Sequence, residues 1–149
     1  MAMSVEAVKE LIENKVAFVR RMKLKAVELK PCHVKLSAPL QDNENHIGTM
    51  YAGALFTLAE IPGGALFLTT FDSSRYYPIV KEMTMTFLRP ARTDVTIEND
   101  ISEEEYRRIQ HELTSNGKAE FVLLGRVMDE KGEVVASSRG TYQIRAIGI

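Results

Sequence analysis

Residues 50–71 are almost wholly apolar, and that run constrains everything the rest of the chain must build around it. Read as a helix, it is hydrophobic on every side, so either a bilayer or the remainder of the protein has to wrap it. Glu60, Pro62 and the Gly63-Gly64 pair sit near its middle, and a carboxylate inside a membrane is costly. A buried core helix over residues 49–71 is therefore expected, with no membrane span. Pro62 removes one backbone donor and deprives the Leu58 carbonyl of its usual partner, so a bend beside Glu60 is predicted. A lone carboxylate in such a helix is either a functional acid or a structural one held by backbone donors.

The flanking segments read as a sheet with surface helices. Residues 4–21 carry Val5, Val8, Ile12, Val16 and Val19 at helical spacing, which predicts an amphipathic N-terminal helix. Residues 23–40 alternate as one strand, or as two with a bulge at Pro31. After the polar loop QDNENHIG and the long helix, residues 80–88 place Met83, Met85 and Phe87 on one face and Thr84 and Thr86 on the other. Residues 95–101 form a further strand. Ser102 with Glu105 is a capping-box signature for a helix presenting Tyr106, Ile109 and Leu113, and Asn116-Gly117 stops it. Two last strands, 121–128 and 133–144, flank the turn DEKG. This order predicts an α+β fold, an antiparallel sheet wrapped around one hydrophobic helix, formed by residues 1–149 as a single domain.

Charge excludes some functions. With 19 Lys and Arg against 20 Asp and Glu, the net charge of -1 offers no basic stripe to follow a phosphate backbone, so nucleic acid is not an expected partner. Cys32, the single cysteine, allows no internal disulfide, and the opening MAMSVEAVKELIEN lacks the pattern of a signal peptide; a cytoplasmic protein is the expectation. Three scattered histidines and one cysteine match no metal-site spacing. Cys32 and His33, as neighbours on a strand, would point to opposite faces and make no dyad.

The window NHIGTMYAGALFTLAE, residues 45–60, resembles the motif of hotdog-fold acyl-CoA thioesterases of the phenylacetate-pathway type: Asn, Gly, then His-Gly-Gly, then an apolar stretch ending in Leu-Ala-Asp. Asn45, Gly48, Gly53, Leu55, Phe56, Leu58 and Ala59 occupy the matching positions, and FLRPAR, residues 87–92, is similar to the strand end that follows. Tyr51 stands where the pattern has His, Ala52 where it has the first Gly, and Glu60 where it has Asp. The helix after Ser102 looks like an insertion between strands and is similar to an uncharacterised hotdog subgroup. The resemblance implies a hydrolase acting on acyl-CoA or an acyl-carrier thioester, with no cofactor. It also implies a homodimer whose sheets join edge to edge with the substrate at the interface, and a dimer of dimers, a homotetramer, as a further assembly. Tyr51, Gly48, Thr57, Met83, Met85 and Arg89 are the substrate-binding positions it suggests.

Elementary chemistry is consistent with that implication. A thioester carbonyl under attack needs hydrogen-bond donors, and the first turn of a helix supplies unpaired N–H groups at Ala52 and Gly53. Hydrolysis also needs a carboxylate as nucleophile or general base, here Glu60, with Asn45 orienting the thioester or water. Ala52 and Glu60 are eight residues apart, about 12 Å along one helix, so a single carbonyl can reach both only if they come from two subunits with antiparallel helices. Other readings stay open: Asn45 as a loop-shaping residue, a non-catalytic acyl-binding or oligomerisation module, and a hydratase using His46.

Overall fold

The structure is a computed structural model, and it describes residues 3–148. Its elements are α1 (Val5–Glu10), a π-helical turn (Leu11–Lys15), α2 (Ala17–Arg21), β1 (Lys25–Lys30), β2 (His33–Ala38), α3 (Ala52–Thr70), β3 (Tyr76–Phe87), β4 (Val95–Asp100), α4 (Glu103–Asn116), β5 (Lys118–Met128) and β6 (Val134–Ala146). The strands make one antiparallel sheet in the order β1-β2-β4-β5-β6-β3. It curls around α3, whose Leu58, Leu66 and Phe67 are buried together with Leu36 of β2, Ile97 of β4 and Tyr142 and Ile144 of β6. This is the antiparallel sheet around one apolar helix that the element order predicts, and the hotdog architecture that the resemblance implies.

The N-terminal helix is interrupted, contrary to the single helix predicted over residues 4–21. Val16 takes an extended conformation (φ -89°, ψ 116°), and the wide turn before it turns Glu13 inward. The Glu13 carboxylate accepts a 2.9 Å hydrogen bond from the Ala26 N–H and another from Lys9 Nζ. β1 bulges between Ala26 and Glu28, so a backbone donor there needs an acceptor from outside the ladder, and Glu13 supplies it. The break leaves Val5 and Val16 exposed while Val8, Ile12 and Val19 are buried. Ala26 points inward and Val27 outward by the pleat, and the bulge then shifts the phase so that Leu29, not Glu28, turns towards the core. Pro31 and Cys32 form the turn between β1 and β2, and Val34, Leu36 and Ala38 alternate inward.

Helix α3 starts at Ala52, three residues later than predicted, because Met50 and Tyr51 donate their N–H groups to the Ala91 and Asn43 carbonyls. It continues through Pro62 without a break. Its helical residues pack inside the sheet, although by length and composition alone it could cross a membrane. Ser102 caps α4 by accepting the Glu105 N–H at 3.0 Å, and Gly117 ends it with φ 72°. Ile109 and Leu113 are buried, and Tyr106 stacks on Phe71 at 5.6 Å. In the turn between β5 and β6, Asp129 accepts the N–H groups of Lys131 and Glu133.

Two features of the sheet bear on function. β3 is an edge strand with a bulge between Val80 and Glu82, and it leaves Ile79, Val80 and Phe87 exposed. In the middle of the sheet β4 and β5 share one paired position, Thr96 opposite Met128. Beyond it the buried Asn99 side chain spans the seam, donating from Nδ2 to the Leu124 carbonyl at 3.0 Å.

Candidate active site

The loop before α3 is built around Asn45. Its Oδ1 accepts the N–H groups of Ile47 (3.0 Å) and Thr49 (3.1 Å), and its Nδ2 donates to Thr49 Oγ1 at 2.8 Å. The side chain thus shapes the loop, and a carboxamide engaged in this way retains one Nδ2 hydrogen. Gly48 holds φ 84°, a left-handed conformation that side chains resist. His46 is exposed in this loop.

At the helix start, the Ala52 and Gly53 N–H groups donate to no acceptor among the described residues, as the first residues of a helix with no side-chain cap should. Tyr51 folds back so that its ring lies over Gly53: a Cβ at Gly53 would come within 2.4 Å of Tyr51 Cε2. Tyr51 as a whole is nevertheless 57% exposed. Asn45, Ala52 and Leu55 line a cleft of about 380 Å³ together with Phe87, Leu88 and Arg89 from the end of β3. Arg89 sits at its rim, paired with Glu133 at 3.2 Å. Residues 45, 52 and 89 thus meet in one place.

Glu60 lies elsewhere, two turns along α3, on the face that the sheet leaves open. Its carboxylate hydrogen-bonds to no described residue, and burial pushes it above the ordinary glutamate range. Beneath it is Tyr142 of β6, which is not among the candidate site residues of the sequence. The Tyr142 hydroxyl donates to the Glu60 carbonyl at 2.9 Å and lies 3.7 Å from Met83 Sδ. Its ring fills the space beside Gly63 and stacks on Phe121 at 5.3 Å. Burial, then the nearby Glu60 charge, raises the Tyr142 phenol far above its usual value, so it stays a neutral donor. The signal available in sequence was a helical glycine, Gly63, without a turn to justify it.

The remaining candidates fall around these two centres. Met83 and Met85 are half-buried on the inner face of β3, and Met83 is joined to Glu60 through Tyr142. Thr57 donates to the Gly53 carbonyl one turn back, so its hydroxyl serves the helix. Cys32 lies in a turn with φ 64°, and burial pushes its thiol up, opposite to an activated nucleophile. His33 is clasped between Glu28 and Asp100, 2.6 Å on each side. Among the described residues, no three His, Cys, Asp or Glu side chains are grouped so as to hold a metal ion.

The pattern of a family described as "Domain of unknown function (DUF4442)" matches residues 5–144. The chain belongs to the DUF4442 family. Among solved structures, this DUF4442 chain is similar to a Pseudomonas aeruginosa protein designated "Probable Thioesterase", with 53% identity, 98% of each chain covered and a TM-score of 0.92. A Chlorobaculum tepidum protein of unknown function has 19% identity over 94% of this chain and 93% of its own, with a TM-score of 0.82. A Haemophilus influenzae thioesterase has 16% identity over 100% of this chain and 95% of its own, with a TM-score of 0.78. At those low identities the last two establish the shared fold, which here is the hotdog fold of thioesterase-like proteins. No curated protein matches the chain.

Proposed function

We propose that this DUF4442 protein is a thioesterase that hydrolyses an acyl-CoA-like thioester at a site completed by a second copy of the chain. The observation that carries the reading is the pairing of two unmet needs on one helix: free N–H donors at Ala52 and Gly53, and an unpartnered, half-buried Glu60 about 12 Å away. An antiparallel α3 from a second copy brings Glu60 of one chain to residues 52 and 53 of the other. Midway between 52 and 60 is Phe56, which then falls on the two-fold axis, and it is 39% exposed in the single chain. The free edge of β3 lies on the same side and extends the sheet across that axis.

In this arrangement Glu60 takes a proton from water as the water oxygen bonds to the thioester carbon. The oxyanion that forms is held by the Ala52 and Gly53 N–H groups. Collapse breaks the carbon–sulfur bond, the acid leaves with the new oxygen, and the Glu60 proton passes to the departing thiolate. The raised Glu60 pKa makes it a stronger base once ionised. Asn45, committed through Oδ1 to its loop, orients the thioester with its remaining Nδ2 hydrogen, and Arg89 exchanges Glu133 for a phosphate of the carrier.

A second reading, an acyl-binding module without turnover, is favoured by one observation, the Tyr51 ring over Gly53. Thiol release from a panel of acyl-CoAs separates the two. Hydrolysis predicts turnover that Glu60→Gln abolishes while acyl-CoA still binds, and a wild-type kcat/KM that rises with pH through one ionisation above the usual glutamate range. Flat wild-type traces for every thioester refute hydrolysis in favour of the binding module.

A further inference from the structure

We infer that Tyr142 is a positioning residue: its hydroxyl splints the turn of α3 that carries Glu60 and so aims that carboxylate at the donors of a second copy. The inference rests on the thioesterase reading for its catalytic consequence and goes beyond it by naming the group that holds the acid in place. Glu60 stands at the weakest point of the helix. Pro62 donates no N–H, so the Leu58 carbonyl lacks its helical partner, and Gly63 and Gly64 follow, the residues with the most backbone freedom to lose. Such a turn should bend, yet α3 runs unbroken from Ala52 to Thr70.

What holds it straight is on β6. The Tyr142 hydroxyl donates to the Glu60 carbonyl at 2.9 Å, two residues before the proline. Tyr142, 2% exposed, sets its ring against Gly63, one residue after the proline, and Phe121 stacks behind that ring at 5.3 Å. The tyrosine therefore grips the turn on both sides of the missing donor. Its surroundings are shaped for the hydroxyl as well as for the ring. A Cβ at Gly140 would stand 3.0 Å from the phenol oxygen and 2.6 Å from Met83 Sδ, which itself lies 3.7 Å from that oxygen. Glycines on two elements thus make room for one phenol, and a phenylalanine would fill that room without reaching the carbonyl. Residues 52–61 all precede the proline, so a bend there would tilt Glu60, together with the Ala52 and Gly53 N–H groups, against the sheet. In a site made from two such helices the error enters from both chains, and a displacement of about 1 Å is enough to lower a rate about a hundredfold.

The test compares wild type, Tyr142→Phe, Pro62→Ala and the double variant, each as the full chain. Thiol release from a panel of acyl-CoAs gives kcat and KM, calorimetry with the non-hydrolysable thioether S-butyl-CoA gives binding, and amide exchange reads residues 58–66. Tyr142→Phe should lower kcat by at least about tenfold, with KM and S-butyl-CoA binding within about twofold of wild type. Its amides at 58–66 should exchange at least about tenfold faster than those of wild type, the equivalent of about one hydrogen bond. Adding Pro62→Ala, which returns an N–H to the Leu58 carbonyl, should recover most of the lost kcat and of the lost protection. An unchanged kcat, a failure of the rescue, or a lower Tm with kcat and KM intact overturns the inference and assigns Tyr142 to packing alone. If wild type releases thiol from no thioester, the hydrolase reading falls and exchange decides the splint by itself. Faster exchange at 58–66 in Tyr142→Phe, reversed by Pro62→Ala, then supports it, and unchanged exchange overturns it.

Discussion

The adjacent glycines of α3 should respond to alanine with opposite signs. At Gly63 a Cβ would stand 2.0, 2.3 and 2.4 Å from three carbons of the Tyr142 ring, where ordinary contact is about 3.5–4.0 Å. The ring would have to retreat by about 1.5 Å, the shortfall against that contact distance. It cannot do so freely: Phe121 stacks on its other face, the missing Cβ of Gly140 is also filled by its edge, and its hydroxyl is tied to the Glu60 carbonyl. Overpacking of this kind costs about 1–3 kcal/mol, and a site held on so many sides belongs at the top of that range. Helix propensity returns about 1 kcal/mol. Gly63→Ala should therefore destabilise by about 2 kcal/mol, a fall in Tm of about 4–8 °C for a chain of this length. Gly64→Ala meets nothing and should gain up to about 1 kcal/mol in the absence of ligand, a rise of about 2–4 °C. Thermal unfolding followed by circular dichroism, with urea unfolding beside it, reads both. A Gly63→Ala protein as stable as wild type would refute the claim that Tyr142 is locked against α3, and with it the account of how the Glu60 turn is fixed.

Three further outcomes follow from groups described above. Glu13→Ala leaves the Ala26 N–H without its acceptor and should cost about 1–3 kcal/mol in urea unfolding, whereas a surface i,i+4 pair alone would cost a few tenths. His33 has its pKa raised by hydrogen bonds to Glu28 and then Asp100, so its contribution to stability is fully present below the unfolded value near 6.5 and is lost as pH rises through the higher folded value. Urea midpoints across that window should decline more in wild type than in His33→Gln, and parallel curves would show that the clasp is energetically silent. Ser102→Ala should cost about 1 kcal/mol and speed amide exchange in the first turn of α4, since the Glu105 N–H loses its cap.

The parts of this fold that could be read in the sequence are those decided by neighbours along the chain. The Ser102–Glu105 cap, the DEKG turn and the alternation of β2 all depend on residues within a few positions of one another. The apolar circumference of α3 implied its burial, and the rise per residue put Ala52 and Glu60 out of reach of one carbonyl. Long-range contacts hid the rest. Nothing near Glu13 announces that its acceptor role is set by a bulge thirteen residues later, so the N-terminal helix looked continuous. Tyr142 reads as one more inward residue of a strand, because its partner at Glu60 lies 82 positions away. Asn45 was ambiguous by chemistry: the same carboxamide suits a loop and a substrate, and its bonds to residues 47 and 49 show it shaping the loop.

The thinly paired seam between β4 and β5 divides the sheet into two plates, β1-β2-β4 and β5-β6-β3, and only β3 carries the free edge beside the candidate site. With one paired position and the Asn99 amide spanning the gap, little backbone hydrogen bonding resists a change of angle between the plates. α3 packs against both and acts as their axle. The sheet can therefore flex about that line without tearing a ladder, and the strand amides facing the seam should exchange with solvent well before those buried between β5 and β6.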